Sequence, residues 1–180
     1  YMTRKANQHF AGKFHKPPEV LVDYRVDNVN DSDCVAYLQK EAPDLLLIYG
    51  TAILKKSVLA IPKMGVINIH GGLVPKYRNV HGEFWAVAHK RFDELGTSLL
   101  WTDEGIDSGD IVAQRPLGLT QPVSVSEAKL LVFDDTLNLI RELMPQIRRG
   151  EIPRQKQPAF TGSVFQTPGF IDWLKFQLKL

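Results

Sequence analysis

Residues 45 to 49 read LLLIY, five apolar or aromatic positions without alternation, closed by Gly50. An unbroken apolar run of that length suits a parallel strand buried on both faces. A second such run, VINI, occupies 66 to 69, and the fifteen residues between the two have room for one short helical crossover. Upstream, EVLVDYRV (19–26) is a weaker strand pattern, followed by NDSDCVAYLQKEA (30–42). There, Asn30 to Ser32 are placed to cap a helix that turns Val35 and Leu38 inward, and Pro43 stops it. Downstream, EFWAVAH (83–89) predicts two helical turns, TSLLW (97–101) a strand, and DIVAQRPLGL (110–119) a strand at a sheet edge, since Pro116 cannot donate to a ladder. The longest helical period follows Ser124 and Glu127, which fit a capping box. Leu131, Leu139, Leu143 and Ile147 recur at helical spacing, and Arg148, Arg149 and Gly150 form the stop. Strands alternating with helices predict an α/β fold, a Rossmann-like, mostly parallel sheet flanked by helices.

The total of 180 residues fits one domain with a real core. Residues 1–150 are expected to form it, with 1–18 extended or loosely ordered and 151–180 an extension packing on the core or a partner. That extension ends in FIDWLKFQLKL, where Phe170, Trp173, Leu174 and Phe176 either cover the core or meet a second copy, so a homodimer is expected. A net charge of +2 gives no broad footprint for nucleic acid, and no apolar run is long enough to span a membrane. The single Cys34 cannot form an internal disulfide, and the basic start lacks the apolar centre of a secretory signal, so the cytoplasm is the expected location.

Chemistry enters at NIHGGLVPKYR (68–78). Positions i and i+2 of a strand face the same way, so Asn68 and His70 project together from the carboxyl end of the second strand, where open α/β sheets hold ligands. An amide donor beside an imidazole suits attack on a carbonyl, and Gly71 and Gly72 let backbone or ligand come close. In DEGIDSGD (103–110), four acids fall within eight positions around two glycines, dense for a mere connection. No Gly-rich phosphate motif occurs. A metal hydrolase using His70, His81, His89 and these acids is the competing reading from another class. His81 and His89 stand eight apart and no H-E-x-x-H occurs, so no metal ligands are expected.

Asn-x-His, then Leu-x-Pro and an arginine, then DEGIDSGDIVAQ with Asp107 standing 37 positions after His70, closely resemble the folate-dependent formyltransferases, over about Leu45 to Gly150. The resemblance implies transfer of a formyl group from N10-formyltetrahydrofolate to a primary amine. Asn68 and protonated His70 would stabilise the oxyanion, with Asp107 assisting. It also implies folate contacts from Tyr49, Gly50, Thr51, Ala52, Ile53 and Leu54 on one side, and from Trp101, Asp103, Glu104, Gly105 and Ile106 on the other. Substrate contacts are expected from Gly71, Gly72, Leu73, Pro75, Lys76, Tyr77 and Arg78. Two departures stand out. The family's arginine-glycine pair is Arg78-Asn79 here, and the family's first strand-helix-strand unit is not recognisable before Leu45. The acceptor expected is a nucleotide-linked amino sugar, with methionyl-tRNA or glycinamide ribonucleotide as alternatives and a non-catalytic folate-binding remnant as a third reading.

Overall fold

A computed structural model describes residues 24–159 and 163–178. A central four-stranded sheet has the order β1 (Leu45–Tyr49), β2 (Gly65–His70), β4 (Gly96–Trp101) and β5 (Ile111–Pro116). Helices lie on both faces, so the chain is an α/β layer fold as expected. Among the described residues the sheet is mixed, not mostly parallel. Only β1 and β2 pair in parallel; β4 returns antiparallel beside β2, and β5 pairs antiparallel with β4, so β4 alone runs against the other three. For β5 the physical cause is connection length: it is joined to β4 by a nine-residue loop, too short for the crossover that parallel neighbours need.

Alternation along β2 sorts the core. Ile67 faces the long helix α4 (Val125–Arg149), where it packs with Leu99, Trp101, Val112, Leu139 and Leu143. On the other face Val66 packs with Ile48, Leu54 and Val58, the last from the short crossover helix α2 (Lys56–Leu59). The helix α1 (Ser32–Glu41) adds Val35 and Leu38 to that group. Asn68 and His70 share the parity of Val66, so they emerge on the α1 and α2 side.

α4 begins where its cap predicts: Ser124 Oγ accepts from the Glu127 backbone N–H at 3.2 Å, and Gly150 ends it in the left-handed conformation. Its buried stripe runs through Val125, Ala128, Val132, Thr136, Leu139 and Leu143, so Val132 takes the inward place expected of Leu131. At α1 the helix starts within the expected Asn30–Ser32 stretch. Asp31 occupies the N-cap without a side-chain bond, and Asn30 instead accepts from the Lys55 N–H (2.7 Å) and donates to the Ile53 carbonyl (2.9 Å), tying down the loop after β1.

β1 is not buried on both faces. Leu47 is 42% exposed and Tyr49 59% exposed, although Leu45 packs with the α4 group and the Tyr49 ring lies 6.3 Å from that of Phe133 on α4. The strand expected at 19–26 is not strand over residues 24–26, and its remainder lies outside the described residues. β5 is an edge strand, as Pro116 requires.

A second apolar group gathers around α3 (Gly82–Ala88). Phe84, Ala86 and Val87 pack with Leu95, Val125 and Ala128, and Trp173 and Phe176 of α5 (Phe170–Leu178) cover them. Thus the tail covers the core through one side, while Phe170, Ile171 and Leu174 on its other side are exposed. A two-stranded parallel pair, β3 (Tyr77–Asn79) with β6 (Ser163–Phe165), joins this tail to the segment after β2.

Candidate active site

Three side chains distant in sequence converge at the carboxyl end of β2. Asn68 Nδ2 donates to Asp107 Oδ1 at 2.8 Å, and His70 Nδ1 lies 3.5 Å from Asp107 Oδ2. The imidazole is 7% exposed, and its Nε2 stands 2.6 Å from the Tyr77 carbonyl. A carbonyl only accepts, so Nε2 carries a proton, and a ring protonated at both nitrogens would donate to the carbonyl and the carboxylate together. Asp107 also accepts from the Asn79 N–H at 2.7 Å.

The loops holding these groups are strained where they must be. Asp107 has φ 45 and Asn79 has φ 76, both left-handed, a region that Asp and Asn enter more readily than other non-glycine residues. The Arg78-Asn79 departure therefore keeps a left-handed turn, and it adds a contact glycine lacks: Asn79 Nδ2 donates to the Phe165 carbonyl at 2.6 Å. Gly72 permits the chain to fold back over the imidazole, since a Cβ there would lie 2.8 Å from His70 Nε2 and 3.0 Å from the Tyr77 carbonyl oxygen.

A cavity of ≈ 440 Å³ opens over the three side chains. One wall is the run Tyr49 to Leu54 and the other runs from Trp101 to Gly109, so ten of the eleven residues expected beside a folate line it. Glu104 is the exception: it points outward and pairs with Lys56 at 3.1 Å on the surface. Of the expected substrate residues only Gly71 lines this cavity. Gly72, Val74 and Pro75 turn inward as structural parts of the loop, and Leu73 lies outside the cavity as well. Tyr77 is 4% exposed, its hydroxyl donating to Glu94 (2.7 Å), and Lys76 pairs with the same carboxylate (2.6 Å) in a separate groove. Arg78 Nη2 donates to Gln157 Oε1 at 2.8 Å.

Three lining residues carried no sequence signal, Val80, Glu83 and Lys129; His81 entered only through the hydrolase reading and Ser108 only as part of the acidic turn. Burial, followed by the charge of Lys129, pulls the His81 imidazole below its usual range. Burial pushes the Glu83 carboxyl up, with its own backbone N–H, Lys129 and His70 pulling the other way. Burial, then Glu83, pushes the Tyr49 phenol up. Gln157 does not line the cavity but fixes its wall, donating to the carbonyls of Asp107 (2.8 Å) and Gly109 (2.7 Å). A glutamine fifty positions away in a proline-rich stretch offers no pattern that would have flagged it.

Among the described residues no three of His, Cys, Asp and Glu are grouped to hold a metal ion, and no helix is long and apolar enough to cross a membrane. His89, one of the histidines of the hydrolase reading, sits against Trp85 and Phe165.

An α/β sheet thus carries an amide, an imidazole and a carboxylate together at one strand end, and the sequence specifies the family. The Formyl transferase family model matches residues 3–130, and the chain belongs to that family. The match begins well before Leu45, so the likeness reaches further forward than the two motifs suggest. The methionyl-tRNA formyltransferase of Methylacidiphilum infernorum is 33% identical over 158 residues, covering 84% of this chain and 49% of that protein. The chain thus spans about half the length of the curated relatives it matches. Among solved structures, a formyltransferase from Anoxybacillus kamchatkensis, in complex with UDP-4,6-dideoxy-4-formamido-L-AltNAc and tetrahydrofolate, superposes with TM-score 0.58 at 20% identity, covering 89% of this chain and 78% of that one. Glycinamide ribonucleotide transformylase 1 from Symbiobacterium toebii gives 0.61 at 18% identity, over 69% of this chain and 60% of that one. At such identities the likeness is one of fold.

Proposed function

We propose that this chain transfers a formyl group from N10-formyltetrahydrofolate to a primary amine, and that the acceptor is a nucleotide-linked amino sugar. One observation carries the reading: Asn68, His70 and Asp107 meet at the head of the cavity in a member of the Formyl transferase family.

The residues present suit a folate. The cavity falls in the size range of small-molecule sites, and much of its wall is loop backbone, whose N–H and C=O groups match the alternating donors and acceptors of a pterin edge. When bound, the folate supplies the formyl carbon. Asp107 takes one hydrogen of the Asn68 amide, leaving the second to face a carbonyl oxygen as it gathers charge. The same carboxylate lies beside His70 Nδ1 and so orients both groups. Burial of the imidazole limits water around the reacting carbon, which strengthens each of these interactions.

For the acceptor, support comes from coverage. The neighbour solved with a UDP-linked formamido sugar matches 89% of this chain, beyond the 3–130 stretch of the family model, whereas the glycinamide ribonucleotide enzyme matches 69%. A second reading, an aminoacyl-tRNA acceptor, draws on the 33% identity to a methionyl-tRNA formyltransferase. An assay with N10-formyltetrahydrofolate and three amines, a UDP-linked 4-amino sugar, methionyl-tRNA and glycinamide ribonucleotide, separates them. Formylation of the sugar alone is expected. Formylation of methionyl-tRNA alone overturns the sugar assignment, and tetrahydrofolate binding without turnover on any amine overturns the transfer reading in favour of a folate-binding remnant.

A further inference from the structure

The cavity holds a carboxylate that the three converging residues do not account for. Glu83 lies in the first turn of α3 and lines the same cavity as Asn68, His70 and Asp107. Its Oε1 occupies the space beside Gly71, the residue directly after His70, so closely that a Cβ on Gly71 would collide with it. Among the described residues, this carboxylate takes its hydrogen bond from its own backbone N–H.

The Asp107 carboxylate and the His70 ring are already engaged. Asp107 Oδ1 accepts from Asn68, and Oδ2 accepts from the Asn79 N–H while facing His70. His70 has Nε2 committed to the Tyr77 carbonyl and Nδ1 turned to Asp107. An incoming amine reaches neutral pH as an ammonium, which carries three donors and needs both an acceptor and a base. Among the described residues, Glu83 is the carboxylate lining the cavity that takes no hydrogen bond from another residue, whereas Asp103 and Asp107 each take at least two.

We propose that Glu83 is the catalytic residue that receives the acceptor's ammonium and takes its proton. The inference rests on the formyl-transfer reading. The ammonium gives one proton to the Glu83 carboxylate and attacks with the freed lone pair. The new bond joins the amine nitrogen to the formyl carbon, and the bond from that carbon to the donor nitrogen breaks, the electron pair leaving with that nitrogen. The second proton of the attacking nitrogen ends on the departing one, and Glu83 releases the first to solvent, which returns the site to its starting state. Burial that pushes the Glu83 carboxyl up makes it a stronger base than an exposed glutamate. The charged or titratable groups around it are Tyr49 from the end of β1, His70 from β2 and Lys129 from α4.

The test reads binding apart from turnover. Calorimetry on tetrahydrofolate-saturated protein compares each of the three amines above with its N-acylated counterpart. The wild-type chain is expected to prefer at least one free amine by on the order of tenfold, the size of a charge-assisted contact. Glu83→Gln keeps the shape and loses the charge, and Gly71→Ala displaces the carboxylate by its flexible end; both are expected to bring that preference to about one while tetrahydrofolate affinity stays within about twofold. A preference retained in both variants, or absent from the wild type for every amine, overturns the proposal. Replacing tetrahydrofolate with the formyl donor tests the transfer reading separately, since a Glu83-dependent preference without product supports the amine site and removes the reaction.

Discussion

Asp107 joins the parts of the site: one carboxylate aligns an amide, faces an imidazole and anchors the backbone of Asn79. If Asn68 is the oxyanion donor, Asn68→Ala should lower turnover by on the order of 100- to 1,000-fold with tetrahydrofolate affinity nearly unchanged, measured by steady-state kinetics beside a binding titration. Near-normal turnover would take Asn68 out of the chemistry. The placement of Asn68 beside His70 was legible because strand alternation is rigid: two positions apart means one face. Asp107 was legible only through the family resemblance, since an acidic, glycine-containing turn alone reads as a solvated loop. Glu83 was not legible at all. At the start of a predicted helix an acid is ordinary, and nothing in its neighbours says that Gly71, twelve positions earlier, clears a space for it. Of the seven residues expected around the LVPKYR stretch, Gly71 lines the cavity and the other six do not, for a related reason: a short loop alternates inward and outward, so that most of a motif supports the few members that reach the cavity.

At the scale of elements, the β3 and α3 region hangs on Glu94, 8% exposed beneath the Lys76 ammonium, the Tyr77 hydroxyl and the Arg91 guanidinium. Burial pushes this carboxyl up, but the hydrogen bonds and charges of those partners outweigh it and hold it below its usual value of 4.5. A depressed carboxyl means that the unfolded chain binds more protons, so the group contributes stability above pH 4.5 that is lost as the pH falls. Glu94→Gln should therefore lower Tm at neutral pH, by the equivalent of about 2 kcal/mol for a buried bond to a charged group, and the deficit should shrink towards about pH 3. Thermal melts across that range check it; a deficit independent of pH would mean the carboxylate's charge is not what matters. Helix bounds were readable from caps and period, as at Ser124 and Gly150. Strand direction was not, because an apolar run is compatible with either neighbour direction; the short loop sets β5 against β4, but no local pattern sets β4 against β2. Nor did the LLLIY pattern reveal that Leu47 and Tyr49 stay exposed, which depends on how closely a helix eighty positions later covers them.

At the scale of the molecule, the tail is built into the catalytic half. Trp173 and Phe176 lie against Phe84, with ring centroids 4.7 and 5.7 Å away. Trp173→Ala should cost about 2–3 kcal/mol, below the full-core value because the indole is only partly buried, and denaturant titration measures it. A loss under about 0.5 kcal/mol would mean that α5 rests on the core without holding it. β6 lies closer still to the site, since Phe165 accepts from the side chain of the residue whose backbone N–H is bound to Asp107. This order of attachment has a consequence during synthesis. A ribosome releases residues 68 to 107 long before Gln157 and Phe165, so the nascent chain carries its reactive groups in loops that have neither bridge. Those loops acquire their final shape only when the last part of this stretch emerges, and an incomplete chain holds the residues without the arrangement.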